Sequence, residues 1–372
     1  MNIGKIAELR IGDLIAKLPI IQGGMGVGVS LSGLASAVAN QGGIGVIAAA
    51  GIGMLEQDGS SNYLEANIRA LRNEIRKARK LTQGIIGVNI MVALSNFAEL
   101  VKTSIEEGVD AIFSGAGLPL TLPEFLSKAS KTKLIPIVSS AKAATLLIKK
   151  WASKYDYVPD AFVVEGPKAG GHLGFKPEQI DDPEYALEKI VVDVVNSVKP
   201  FENEMGKPIP IIAGGGIYTG EDMYKIMKLG ASGVQMATRF VTTNECDASI
   251  DFKNTYIHAS KEDIGIIKSP VGLPGRVIVN DFIHSVNAGH KAPFHCPYHC
   301  ITTCEYKNSP YCIAIALINA KKGILKNGFA FAGANAYRAS EIRPVKEVCD
   351  YIKDEYTQAS DSDTEKRDNQ QD

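Results

Sequence analysis

A histidine that follows two glycines is the residue of this sequence best suited to proton chemistry. His172 comes directly after Gly170 and Gly171 in the stretch EGPKAGGHLGF. Glycines carry no side chain, so a flat ligand can lie against the backbone there. The ordinary pKa of histidine is close to neutral pH, which suits a general base. We therefore predict that His172 is catalytic. The alternative is a structural or surface histidine on a flexible turn.

A second glycine-rich stretch is typical of a phosphate-binding loop. IPIIAGGGI (209–217) precedes GVQMATRF (233–240) in the chain. The backbone N–H groups of Gly215 and Gly216 can turn towards an anion, and a helix beginning near Thr219 would add its positive end. Backbone N–H groups of the second stretch would complete the phosphate-binding site. The alternative is that the glycines only turn the chain.

Amide side chains that follow other apolar runs indicate which cofactor the phosphate would belong to. Gln22, Asn89 and Gln235 each offer an amide that both donates and accepts. Such groups match the alternating C=O and N–H edge of an isoalloxazine ring. Met25 could pack against the face of that ring. A phosphate-binding loop together with these glycine-rich stretches therefore predicts a flat phosphorylated cofactor, FMN.

The elements that would position these residues repeat one pattern along the chain. Eight apolar, β-branched runs end in small residues: PIIQGG (19–24), GVIAAA (45–50), GVNIMV (87–92), AIFSGAG (111–117), LIPIVSS (134–140), FVVEG (162–166), PIIAGGG (210–216) and GVQMATR (233–239). Segments with helical spacing of apolar residues lie between them, at 31–41, 61–80, 96–108, 121–130, 141–152, 183–198 and 219–229.

This alternation predicts the fold and the place of the site. Parallel strands covered on both faces are near-continuous apolar runs, as these are. Eight strand–helix units fit a (β/α)₈ TIM barrel better than the alternative, an open doubly wound sheet. In such a barrel, chemistry gathers at the C-terminal ends of the strands, where the residues described above fall.

The remainder of the chain departs from the barrel pattern. We predict a barrel over 1–244 and a smaller, mainly helical appendage containing cysteines over 245–335. A closing helix is predicted over 336–356. The segment 357–372 has almost no apolar residues, so a disordered tail is predicted there.

Four of the six cysteines lie close together in the sequence HCPYHCITTCEYKNSPYC. They are Cys296, Cys300, Cys304 and Cys312. Thiolates bind zinc and iron–sulfur clusters, so one interpretation is a metal site. The spacing lacks the paired C-x2-C of common zinc sites, and reduced thiols packing a small domain are the alternative. An iron–sulfur site there could pass electrons to or from FMN.

Composition excludes several classes of partner. The chain has 372 residues, 45% hydrophobic and 22% charged, with a formal net charge of −1. This balance gives no electrostatic reason to expect nucleic acid or an anionic membrane as a partner. The first residues lack the pattern of a signal peptide, and we expect a cytoplasmic protein that acts on a small molecule.

The order of these motifs resembles one enzyme family. PIIQGGMG, GVNIMV, FVVEGPKAGGHLGF, IPIIAGGGI and GVQMATRF resemble segments of the nitronate monooxygenases, formerly called 2-nitropropane dioxygenases. The flavin-dependent enoyl-acyl-carrier-protein reductases belong to the same superfamily. The resemblance implies a TIM barrel with a small helical domain and non-covalent FMN. It implies that flavin contacts fall on Gln22, Gly23, Gly24, Met25, Asn89, Gly170, Gly171, Gly215, Gly216, Gln235, Met236, Ala237 and Thr238.

The resemblance also implies a reaction, with one departure from the family pattern. His172 takes the position of the base in the oxidation of alkyl nitronates by oxygen to a carbonyl compound and nitrite. Glu165 stands where many members have glutamine, and we expect it to contact the flavin and alter its hydrogen bonding. Two alternatives stay open. One is an NAD(P)H-dependent flavin reductase of enoyl thioesters or quinones; the other is a phosphate-ligand-binding or electron-carrier flavoprotein.

Overall fold

The computed structural model describes residues 6–291 and 294–368. In chain order its strands are β1 (Leu9–Ile11), β2 (Leu14–Ala16), β3 (Ile20–Gln22), β4 (Ile44–Ala48), β5 (Ile85–Met91), β6 (Ala111–Gly115), β7 (Lys133–Val138), β8 (Phe162–Glu165), β9 (Gly171–His172), β10 (Ile211–Gly214), β11 (Gly233–Met236), β12 (Ile264–Lys268) and β13 (Pro274–Ile278).

Helices alternate with most of these strands. They are α1 (Ser32–Asn40), α2 (Tyr63–Leu81), α3 (Phe97–Glu106), α4 (Ala141–Tyr155), α5 (Leu187–Met205), α6 (Gly220–Lys228), α7 (Thr238–Val241), α8 (Ile250–His258), α9 (Asp281–Asn287), α10 (Ile313–Lys321) and α11 (Val345–Asp368). No helix among the described residues is both long and apolar enough to cross a membrane.

Eight strands close into a parallel barrel, which confirms the predicted TIM fold. The order around the barrel is β3-β4-β5-β6-β7-β8-β10-β11, and β11 pairs with β3 to complete it. All eight predicted runs supply a barrel strand. Because the strands are parallel and in sequence order, their C-terminal ends share one rim of the barrel.

Two apolar layers hold the barrel together. Inside it, side chains such as Phe113, Ile135 and Val163 fill the interior. Leu9 and Ile11 of the β1–β2 hairpin are fully buried in the same cluster. The hairpin therefore closes the N-terminal end of the barrel and leaves the opposite rim open. The second layer packs the strands against the surrounding helices.

The appendage contains helices, as predicted, and also a small sheet that was not predicted. Strands β12 and β13 pair antiparallel, and β13 pairs with β9, which lies in the barrel part of the sequence just after β8. His172 faces Gly275 in this pairing. The appendage therefore holds the segment that carries His172.

Two element predictions differ from the structure. The segment 121–130 is not a helix; it contains only a short 3₁₀ turn, Leu122–Phe125. The closing helix runs from Val345 to Asp368, so most of the predicted disordered tail is helical, while residues 369–372 lie outside the described residues. Low apolar content was misleading there because the tail continues a helix whose first turns are buried, and polar contacts hold it to α6, such as the ion pair from Lys228 Nζ to Asp363 at 2.7 Å.

Candidate active site

A cavity of about 580 Å³ opens at the C-terminal rim of the barrel. Loops after the barrel strands form its floor, and the appendage covers it through residues that include Leu317 and Phe331. Nearly all of the predicted site residues line this one cavity: Gly23, Gly24, Met25, Asn89, Glu165, Gly170, Gly171, His172, Gly215, Gly216, Gln235, Met236, Ala237 and Thr238.

Gln22 is the exception among the predicted cofactor contacts. It is fully buried and does not line the cavity. Its Nε2 donates to the carbonyl of Gly23, and its Oε1 accepts from the N–H of Val46 at 3.0 Å. A buried amide needs such partners. Gln22 therefore joins β3 to β4, and the prediction that it contacts the cofactor is not supported.

One end of the cavity has the backbone geometry of an anion site. Gly215 and Gly216 have φ values of +100° and +91°, a region that side-chain-bearing residues rarely adopt. The N–H groups of Gly216 and Ala237 make no hydrogen bond to another described residue. Asn335 Nδ2 donates to the carbonyl of Gly216 at 2.6 Å and so fixes the loop. Unpaired N–H groups at a glycine-rich strand end fit a phosphate.

The predicted contribution of the following helix is not found. At the start of α6 the N–H groups of Tyr218 and Thr219 already donate to Asp222, and that of Gly220 donates to Glu355. Carboxylates thus occupy the positive end of the helix dipole. A phosphate at this rim would be held by the strand-end loops and not by α6.

Two glycines that line the middle of the cavity stand where no side chain would fit. A Cβ atom on Gly24 would lie 2.4 Å from Cβ of Asn89, and one on Gly170 would lie 2.6 Å from the nitrogen of Gly333. The side-chain amides of Asn89 and Gln235 have no hydrogen-bond partner among the described residues. Amides that line a cavity without protein partners fit a ligand with donors and acceptors along its edge.

His172 is held at the cavity wall by contacts from the appendage. Its Nε2 lies 2.7 Å from Oγ of Ser269, and its ring makes an edge contact with Phe331 at 5.0 Å between centroids. Burial lowers the pKa of His172 to about 4, because the charged imidazolium loses its hydration. At neutral pH the imidazole is therefore uncharged, and it is a weaker base than a histidine in water.

Two residues that support His172 carried no signal in the sequence. Ser269 is a buried serine in the turn between β12 and β13. Arg276 is buried in β13, where its guanidinium donates to the carbonyls of Pro167, at 2.8 Å, and Ala169, at 3.2 Å. A single serine or arginine in a loop or strand is common, so only the three-dimensional contacts identify these two.

Glu165 ends β8 and lies inside the cavity wall. Its carboxyl group makes no hydrogen bond to another described residue, and burial raises the pKa of this group to about 7. A carboxyl group without a cationic partner favours its neutral form in such a place. The carboxyl group of Glu165 therefore exchanges a proton close to neutral pH, at the rim of the barrel.

The prediction that the clustered cysteines bind a metal is not supported for a single ion. Among residues 6–291 and 294–368, no group of three or more His, Cys, Asp or Glu side chains could hold a metal ion. A zinc site would need its thiolates drawn to about 2.3 Å from one point. The six cysteines are free thiols, and the four clustered ones line a separate cavity beside the active-site cavity.

Comparison with known proteins assigns the family. The family model described as nitronate monooxygenase matches residues 9–355. The chain belongs to the nitronate monooxygenase family. A probable nitronate monooxygenase of Staphylococcus saprophyticus is 26% identical over 309 residues, which cover 76% of this chain and 81% of that protein.

Other proteins similar to this chain are not named nitronate monooxygenases. A 5-hydroxy-7a-methyl-1-oxo-octahydro-1H-indene-4-carboxyl-CoA dehydrogenase of Rhodococcus jostii is 30% identical over 268 residues, covering 72% of this chain and 64% of that protein. The structure of FabK from Thermotoga maritima superimposes with a TM-score of 0.71 at 28% identity, covering 93% of this chain and 94% of that one. The family therefore sets the oxidoreductase class but not the substrate.

Proposed function

We propose that the protein binds FMN and oxidises alkyl nitronates with oxygen to a carbonyl compound and nitrite. The observation that carries this proposal is an uncharged His172 at the wall of a glycine-lined cavity. FMN would supply the redox chemistry when bound. Its phosphate would lie against the loops of Gly216 and Ala237, and its ring edge against Asn89 and Gln235.

The residues of the chain would then handle the substrate proton. Nε2 of His172 is engaged with Ser269, whereas Nδ1 makes no hydrogen bond to a described residue. A base at Nδ1 requires the tautomer in which Nε2–H donates to the serine oxygen, and the observed contact permits it. His172 would take the α-proton of a nitroalkane and orient the resulting nitronate.

Purification and anaerobic mixing test the proposal. We expect a yellow protein that releases FMN on denaturation, with colour bleached by a nitronate in the absence of oxygen. A colourless protein that cannot be reconstituted with FMN would contradict both flavoenzyme functions. Rapid bleaching by NADH or NADPH, with no bleaching by a nitronate, would contradict the monooxygenase and support the reductase.

The role of His172 is tested by comparing a nitroalkane with its pre-formed anion. His172→Asn should slow flavin reduction by the neutral nitroalkane by about 10²-fold or more, the usual contribution of a general base. Reduction by the anion should change far less, because no proton has to be removed. His258→Asn, an exposed histidine on α8, is the matched control. Equal losses with both substrates would exclude the base.

A reductase of enoyl thioesters is the second candidate, favoured by two observations. FabK enoyl reductases share this architecture, at the identity and coverage given above. The cavity is also lined by apolar side chains that exceed the needs of a small nitronate: Met54, Leu94, Leu118, Ile313 and Leu317. Reduction by a pyridine nucleotide followed by reoxidation with an enoyl thioester would establish this function instead.

A further inference from the structure

The four clustered cysteines line one cavity. Cys296, Cys300, Cys304 and Cys312 all line a cavity of about 260 Å³, together with His299 and aromatic side chains. None of the four is in a disulfide. Thiols that only fill a core pack against other side chains and leave no cavity between them. These four instead face a common volume.

The loop that carries the cysteines is anchored to the barrel. The N–H of Ser95 donates to the carbonyl of Cys300 at 3.1 Å, and the N–H of Thr302 donates to the carbonyl of Ala93 at 3.0 Å. Leu94 and Ile301 form a β-bridge between these bonds. The backbone around Cys300 is therefore fixed against the loop after β5.

The backbone within the loop is already bent towards sulfur. His299 has a φ of +44°, the left-handed conformation, between the first and second cysteines. Its N–H donates to Sγ of Cys296 at 3.4 Å. An N–H directed at a cysteine sulfur stabilises the thiolate form, and such hydrogen bonds help to set the potential of iron–sulfur sites.

The size of the space distinguishes between a single ion and a cluster. The described residues offer no group of three ligands that could hold one metal ion. In a four-iron cluster each thiolate binds a different iron, so the sulfur atoms stand further apart around a larger volume. Four cysteines around about 260 Å³ fit the second arrangement.

We propose that these four cysteines bind a [4Fe–4S] cluster, one thiolate to each iron. The four thiols lose their protons on ligation, and the oxidised core with a charge of 2+ then carries a net charge of −2 with its thiolates.

The proposed cluster would lie directly beside the active-site cavity. Cys300, Ile301 and Ile313 line both the cysteine cavity and the active-site cavity. A cluster here would therefore be separated from the larger cavity by the thickness of one residue. It would set a one-electron carrier beside the candidate flavin site. The cluster assignment itself does not depend on the proposed substrate.

Anaerobic purification and reconstitution with iron and sulfide test the cluster. We expect about four iron and four acid-labile sulfide per chain, with a visible absorbance that dithionite bleaches. Cys304→Ser, at the least buried of the four thiols, should lower the iron content at least twofold. Cys246→Ser and Cys349→Ser, at buried cysteines outside the loop, should leave it unchanged.

Every other outcome overturns the assignment. Zinc alone, no metal after reconstitution, or equal iron in Cys304→Ser and the control variants would each exclude a cluster on these four residues. FMN content and the midpoint of thermal unfolding are measured in each variant. An altered iron content in a variant with unchanged flavin content separates a lost ligand from a misfolded protein.

Discussion

At the scale of single residues, the contact between His172 and Ser269 decides how the candidate base is presented. The hydroxyl lies 2.7 Å from Nε2, and it also accepts from the N–H of Val271 at 3.4 Å. A hydroxyl accepts two hydrogen bonds, so it can receive Nε2–H and leave Nδ1 unprotonated. Ser269 is therefore a positioning residue, which acts through His172.

Removing the hydroxyl of Ser269 should make His172 a less effective base, while the imidazole itself stays in place. Ser269→Ala is expected to lower the rate of flavin reduction by a nitroalkane about tenfold, or about 1.4 kcal/mol. Ser269→Thr, which keeps the hydroxyl, should restore most of the rate. The measurement is single-turnover reduction against pH. Equal rates in the alanine and threonine variants, both with full flavin content, would exclude the positioning role.

Glu165 should make stability fall as pH rises. Burial raises the pKa of its carboxyl group from an ordinary 4.5 to about 7 in the folded protein. Between these values the folded state binds more protons, so the free energy of unfolding decreases with pH, by on the order of 3 kcal/mol in total. Glu165→Gln should remove this decrease and be the more stable protein above pH 7. Denaturant unfolding at pH 4.5 to 8 measures it.

The control for this prediction is an exposed carboxyl group. Glu188→Gln lies on the outer face of α5 and should leave the pH dependence as it is in the unaltered protein. A wild-type profile in Glu165→Gln would show that the carboxyl group ionises normally in the folded state. Glu165 would then act on a bound flavin ring as a negative charge and not as a proton donor.

At the scale of elements, the loop after β10 depends on glycine for its shape. Gly215 has a φ of +100°, and a Cβ there would lie 2.8 Å from the carbonyl oxygen of Gly166. Gly215→Ala is expected to displace the loop and weaken FMN at least tenfold, measured by flavin release. Gly206→Ala is the control, because its φ is +61° but no atom lies within 4 Å of the added Cβ. It should cost about 1 kcal/mol and spare the flavin.

The barrel elements could be read from the sequence because each is defined locally. Parallel strands buried on both faces give continuous apolar runs, and the runs that contain Gln22, Asn89 and Glu165 all became barrel strands. Gln22 and Glu165 end their strands, whereas Asn89 lies within β5. Glycine positions at the rim followed from the same pattern. Strand β9 could not be found this way, since its two residues are a strand only by pairing with β13, about a hundred residues later.

The errors have the same physical origin. The amide of Gln22 was assigned to a ligand because its sequence position suggests the rim, but it bonds to Gly23 and to Val46 of β4. The N-terminus of α6 was assigned to phosphate, but Glu355 reaches it from α11. In each case a long-range hydrogen bond satisfies a group that sequence alone leaves available.

At the scale of the whole molecule, the barrel and the appendage share the catalytic segment. The stretch 167–172 leaves the barrel, receives two hydrogen bonds from Arg276 and then joins the appendage sheet at His172. Neither part can move independently without breaking the contacts of this segment. We therefore expect one cooperative unfolding transition for the two parts.

Arg276→Ala should show this coupling. It leaves the carbonyls of Pro167 and Ala169 without a donor, and we expect a loss of about 3 kcal/mol in the free energy of unfolding. Because the same segment carries His172, turnover should fall together with stability. Arg10→Ala, which breaks an exposed ion pair with Glu8, should cost less than about 1 kcal/mol. Far-UV circular dichroism and flavin fluorescence should give coincident midpoints in both variants; separate midpoints would mean that the appendage unfolds on its own and that the barrel alone holds the cofactor.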